Sequence, residues 1–309
     1  MIRIILDRIE TFLKSLFQRN NMSENHQEQQ ATVITPINRK SVGQFNSSEW
    51  LKEGNGLYAT SQKMREDWEE HRGHFSKTIQ SGSRPSENGW TLLTGMPRAS
   101  MLLLGYAAEM YLKAGLCKAY IGCNEEMFAR DVKSKFGHKL ENLANEVAFL
   151  FLDNDSGNLA ILKSMVLVDA RYPLVVQGNS SYSTEINKQT SCIWNSDKYA
   201  ELSSLVDRLC EHVTKIDQDS SNPAHFQYYR IDSDGYLSFR MGGNLPTRIT
   251  YKVSSNLKDS GRATLQDVRG LFQSDNHHLV RDRWEQAFIY EDGEKENGTK
   301  KTFCRQNSS

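Results

Sequence analysis

The sequence predicts a mainly α protein: a bundle of four to five helices followed by a small β-containing C-terminal region. Three observations carry that prediction. Residues 101–120, MLLLGYAAEMYLKAGLCKAY, are apolar or small at nearly every position. A surface helix would show one apolar stripe and a polar back, so this stretch reads as the buried central rod of the bundle. Flanking stretches repeat their apolar residues at intervals of three and four, the helical period. After residue 224 the period changes to two, the mark of strands.

In chain order, residues 1–18 place Ile2, Ile5, Leu6, Ile9, Phe12, Leu13, Leu16 and Phe17 at helical spacing, broken by Arg3, Arg8 and Lys14. An amphipathic helix is expected over 1–21. It reads as a hook for a protein partner or an interfacial helix, as an extra helix packed on this protein, or as residues upstream of a start at Met22. Its charges break any secretory apolar core. Residues 22–46 are polar and read as a disordered linker. The bundle is expected over 47–216. A first helix spans 49–75 with Trp50, Leu51, Leu57, Tyr58, Met64 and Trp68, and a loop over 80–88 follows. Pro97 is placed near the first turn of the central helix, where its missing donor costs little. A third helix over 140–151 carries Leu140, Leu143, Ala144, Val147, Leu150 and Phe151. A fourth covers 159–170 and ends at Pro173, which pushes Tyr172 out of helical geometry. Residues 174–190 read as a long polar loop. A fifth helix covers 196–216, and 217–223 is a linker. Residues 226–253 read as a β meander, with Leu237, Phe239 and Met241 alternating with Tyr236, Ser238 and Arg240. The β-containing region is bounded at 224–290, with a short helix over 264–272. Residues 279–290 fit helix or strand equally. The tail over 291–309 reads as disordered.

The 309 residues carry 38 basic and 38 acidic side chains, which argues against a protein that coats nucleic acid nonspecifically. Five cysteines lie scattered without a CxxC pair, as expected of reduced thiols in a reducing, cytoplasmic setting. The common nucleotide-binding and zinc signatures are missing, and no metal or cofactor is expected. Glu109 and Lys113 rule out the central helix as a membrane span, and membrane association is not expected.

GYAAEMYLKAGL over 105–116, GHKLENL over 137–143 and ARYP over 170–173 follow one another in the chain. This ordered set resembles the HEPN domain, over roughly residues 47–216. The resemblance implies a helical bundle, often a homodimer. It also implies RNA or nucleotide binding, RNA cleavage in some members, and a bacterial defence or toxin–antitoxin context. Cleaving members carry an Arg, four to six residues, then a His. This sequence departs from that pattern. After Arg171 no His occurs before His212, and Arg130 and His138 stand too far apart. Arg65 and His71 fit the spacing but fall in the first helix. The expectation is therefore an RNA- or nucleotide-binding module with a degenerate cleaving motif. The alternatives are a metal-independent ribonuclease using His138 with Arg171 or Arg130, and a non-catalytic protein partner.

Six residues are candidates for the site. Glu109 and Lys113 lie four apart with Glu first, the favourable helical order, and in so apolar a helix each needs a partner. Arg171 is a second candidate partner for Glu109. His138 either helps cap or orient its helix or acts as a general base. Arg171 either satisfies the end of its helix or holds a phosphate through its fork. Tyr106 and Tyr172 are core residues or stacking platforms for the same ligand. In the meander, Phe226, Tyr228, Tyr229, Tyr236, Phe239 and Tyr251 among Arg230, Arg240, Arg248 and Lys252 fit either a sheet core or a single-strand binding face.

Overall fold

A computed structural model describes residues 34–169 and 181–293, which all belong to one compact unit. The expected helix over 1–21, residues 22–33 of the linker, Arg171 and Tyr172, and the tail from 294 lie outside the described residues. The protein is mainly helical with one small sheet.

Two long helices, α1 (Ser47–Gln80) and α2 (Glu87–Ala119), form the spine of the bundle. Asn46 caps α1 by accepting from the Ser48 N–H, and Ser86 caps α2 by accepting from Gly89. Every α2 residue from 103 to 112 is buried, because the shorter helices cover α2 on several sides. The shorter helices are α3 (Glu125–Asp131), α4 (Leu140–Glu146), α5 (Asp155–Ser164), α6 (Tyr182–Ile193) and α7 (Ser196–Lys215), of which α4 to α7 pack on α2. At Gly105 a Cβ would come within 2.7 Å of the Val166 side chain and 2.8 Å of the Leu162 carbonyl, so this glycine lets two helical segments touch.

Several boundaries differ from expectation. Pro97 lies well inside α2, beyond its first turns, where it cannot bond to the carbonyl four residues back. That carbonyl, of Leu93, accepts instead from the indole of fully buried Trp68 at 2.9 Å. The third helix stops at Glu146 because Ala148 takes a left-handed φ of 54°, which leaves Leu150 exposed. α5 begins at Asp155, earlier than expected, and continues as a π-helical turn, Met165–Asp169. The expected loop over 174–190 contains most of α6, capped by Ser181. The last stretch of the supposed linker is packed: Ile37 is 1% exposed and its N–H donates to the Cys123 carbonyl.

The sheet has the order β1 (His225–Ile231), β2 (Gly235–Met241), β3 (Arg248–Lys252), β4 (Phe288–Glu291). The first three are the expected antiparallel meander, and β4 adds in parallel to β3. Residues 279–290 thus hold the end of a helix and then a strand. Leu237, Phe239, Ile249 and Tyr251 pack under α8 (Ser255–Asp259), α9 (Leu265–Gly270) and α10 (His278–Arg283) in a second core. The opposite face is also buried, against the bundle. Ser238 Oγ donates to the Ile121 carbonyl and Arg240 Nε to that of Lys118, while the Tyr236 hydroxyl accepts from the Asn124 N–H. Tyr236, Phe239, Tyr251, Arg240 and Arg248 are therefore enclosed, whereas Tyr228 and Arg230 of the edge strand β1 are exposed.

Candidate functional site

Three of the expected residues meet. Glu109 projects from the middle of α2 and is 2% exposed. Lys113, one turn on, reaches its Oε1 at 2.6 Å, and His138 Nδ1 sits 2.8 Å from its Oε2. Lys113 also lies 5.2 Å from the ring centre of Trp50, a cation–π contact. The sequence folds this way for local reasons. After α3 the chain makes a π-helical turn, Val132–Phe136, and reverses at Gly137, whose φ of +48° suits a residue without a Cβ. That reversal delivers His138 to the side of α2. His138 does not cap α4: Lys139 is the N-cap, with no side-chain bond.

Burial pushes the Glu109 carboxyl up, but the charge of Lys113 and the hydrogen bond from His138 outweigh it. The group is held below the ordinary carboxylate value. An ionised carboxylate only accepts, so Nδ1 carries the proton and donates to it. In the neutral ring the lone pair is then on Nε2, and the side chain is 41% exposed. A carboxylate that fixes the tautomer and orientation of an imidazole is the arrangement of a general base. In the same stretch of chain, residues 130–139 carry Arg130, Lys133, Lys135 and Lys139 against one acid, Asp131. Lys133 and Lys139 are exposed.

The other expected residues stand apart. Tyr106 is buried at 8% exposure. Arg130 is bonded to Asp292 at 3.1 Å, away from the Glu109 network. Arg65 is 3% exposed and donates to the Ile193 carbonyl, while His71 bonds the Gly89 carbonyl, so both are structural. Arg171 and Tyr172 lie outside the described residues. No group of three or more His, Cys, Asp or Glu side chains among the described residues is arranged to hold a metal ion. No described helix is long and apolar enough to cross a membrane.

Sequence reasoning missed a groove of about 350 Å³ where the bundle meets the sheet. Lys135, Asn142, Asn145 and Glu146 line it from the bundle, and Arg240, Arg248, Phe288 and Tyr290 from the sheet. Its one signal in the sequence was Arg240 and Arg248 on the polar side of two strands, which reads equally well as a solvent face. No protein-family model, curated protein or solved structure matches the chain.

Proposed function

We propose that this chain is a HEPN-like module that binds a phosphate-bearing ligand, RNA or a nucleotide, at the corner formed by residues 130–139. The single observation that supports this is that exposed Lys133 and Lys139 share this short stretch of chain with the half-exposed ring of His138. The assignment to that family, with its defence or toxin–antitoxin context and its dimers, rests on the three ordered motifs. Cations on an exposed corner gain affinity for phosphates by releasing counterions, so binding should weaken steeply with salt. Binding of a labelled single-stranded RNA, measured across salt concentrations for wild type and for Lys133→Ala with Lys139→Ala, tests the reading. For single strands each lost phosphate contact should reduce the slope of log K against log salt by about 0.7. An unchanged slope and affinity would remove the corner from the function.

A second reading has its own support. His138, oriented by buried Glu109 through Nδ1 and 41% exposed, has in its neutral form an Nε2 lone pair able to deprotonate a 2′-hydroxyl. A metal-independent ribonuclease should cleave RNA in chelator and lose about 10²–10⁴-fold in rate on His138→Ala. Binding without cleavage by the wild type supports the first reading, and cleavage lost with His138 supports the second.

A further inference from the structure

We propose that the groove between bundle and sheet is a separate binding site, for a small planar ring that carries one anionic group. Its volume, about 350 Å³, lies at the small end of ligand sites, which suits a compact molecule and not a polymer. Charge comes first. Lys135 and Arg248 share one carboxylate, that of Glu146, at 3.3 and 2.5 Å. Arg240 is matched by Asp217 at 2.5 Å. One positive charge is left over on the groove wall. Burial pushes the Glu146 carboxyl up, yet the two cations hold it below its ordinary value, so it stays ionised and this balance holds at neutral pH.

The second observation is an unsatisfied donor. Arg248 is 7% exposed, gives Nη1 to Glu146 and Nε to Thr250, and leaves Nη2 buried without a partner. A buried guanidinium donor without an acceptor is costly, and an anionic group in the groove beside it would stabilise this cation through its charge. The guanidinium cannot swing away, because it is sandwiched between Tyr120 at 4.0 Å and Tyr290 at 3.7 Å. The ring comes third. Phe288 is 37% exposed on the same wall, offering an aromatic face for stacking. Finally, Asn142 and Asn145 are exposed on the opposite wall, and among the described residues neither side-chain amide has a hydrogen-bond partner. They can read polar atoms on the ring edge. Of residues 130–139 the groove takes Lys135 and Phe136 and neither Lys133 nor Lys139, so the two sites can be tested apart.

The test is titration of the full chain with benzoate, phenyl phosphate and adenosine monophosphate. Benzyl alcohol and inorganic phosphate serve as the ring-only and anion-only controls. Affinity is read by calorimetry, and location by the side-chain amide NMR signals of Asn142 and Asn145. At least one anionic ring should saturate and shift those signals, with both controls about tenfold weaker or more. Whether benzoate or the phosphates bind tighter names the anion. Asn145→Asp should weaken binding by about tenfold or more, the effect of a like charge a few ångström away. It disturbs no internal hydrogen bond, and Lys139→Ala should leave this binding unchanged. Failure of all three rings to bind, controls that bind as well as the rings, or an Asn145→Asp variant that binds normally would overturn the proposal. None of these outcomes bears on RNA binding at Lys133 and Lys139.

Discussion

Glu109 concentrates more of the protein's electrostatics than any other residue of the central helix. Its two oxygens hold Lys113 and His138, and Lys113 is itself only 12% exposed. Glu109→Ala strands that ammonium, and breaking a buried pair from one side costs about 3–5 kcal/mol. A large fall in the denaturation midpoint is expected, and a smaller one for Glu109→Gln, whose oxygen still accepts from Lys113. An unchanged midpoint in Glu109→Ala would mean the pair is solvated. The pH dependence has a definite sign. The folded-state carboxyl titrates below its ordinary value of 4.5, so its stabilisation is complete above that value and is lost as pH falls below it. The stability gap between wild type and Glu109→Gln should therefore persist down to about that pH and close below it. Lys113 was legible as a partner because spacing along one helix is local. His138 was legible as a candidate but not as the partner, because its place depends on the π-helical turn and the reversal at Gly137.

At the scale of elements, α2 shows how a local rule is broken and repaired. Pro97 removes one rung from the ladder, and Trp68 of α1 fills the gap on Leu93. Trp68→Phe should cost about 1–3 kcal/mol for the orphaned carbonyl, beyond lost packing. In a Pro97→Ala background the new N–H can satisfy Leu93, so the same substitution should cost less. A double-mutant cycle by chemical denaturation measures the difference, and strict additivity would refute the link. The first and fifth helices were readable because their apolar period runs for several turns, and the central helix because it is apolar or small at nearly every position. The ends were not. Ala148 at φ 54° halts α4 though its apolar spacing continues to Phe151. α6 was read as loop because polar residues such as Ser183, Thr184, Gln189 and Ser191 outnumber its apolar ones. β4 pairs in parallel with a strand far back in the chain, and such partners leave no local pattern.

For the whole molecule, the consequential difference is that the sheet is buried on both faces. Tyr236, Ser238 and Arg240 alternate with Leu237 and Phe239 as in a half-exposed strand, but bundle groups bind the polar ones. The stretch expected as a linker is tied across as well, with Asp217 N–H donating to the Gly243 carbonyl and Gly243 N–H to that of Asn222. Near the chain's end, Asp292 accepts from Arg130 and from Tyr236. These links couple the sheet to the bundle through buried charges, and such contacts make two parts unfold together. Hydrogen exchange should then find α2 and β2 amides opening with the same free energy, that of global unfolding. Arg248→Ala removes one of the two cations on Glu146 and the filling between Tyr120 and Tyr290. If the parts are coupled, it should lower protection in α2 and β2 by equal amounts, although the residue lies in the sheet. Loss confined to β1–β4, with α2 unchanged, would show that the sheet opens on its own and that its contacts with the bundle add little to global stability.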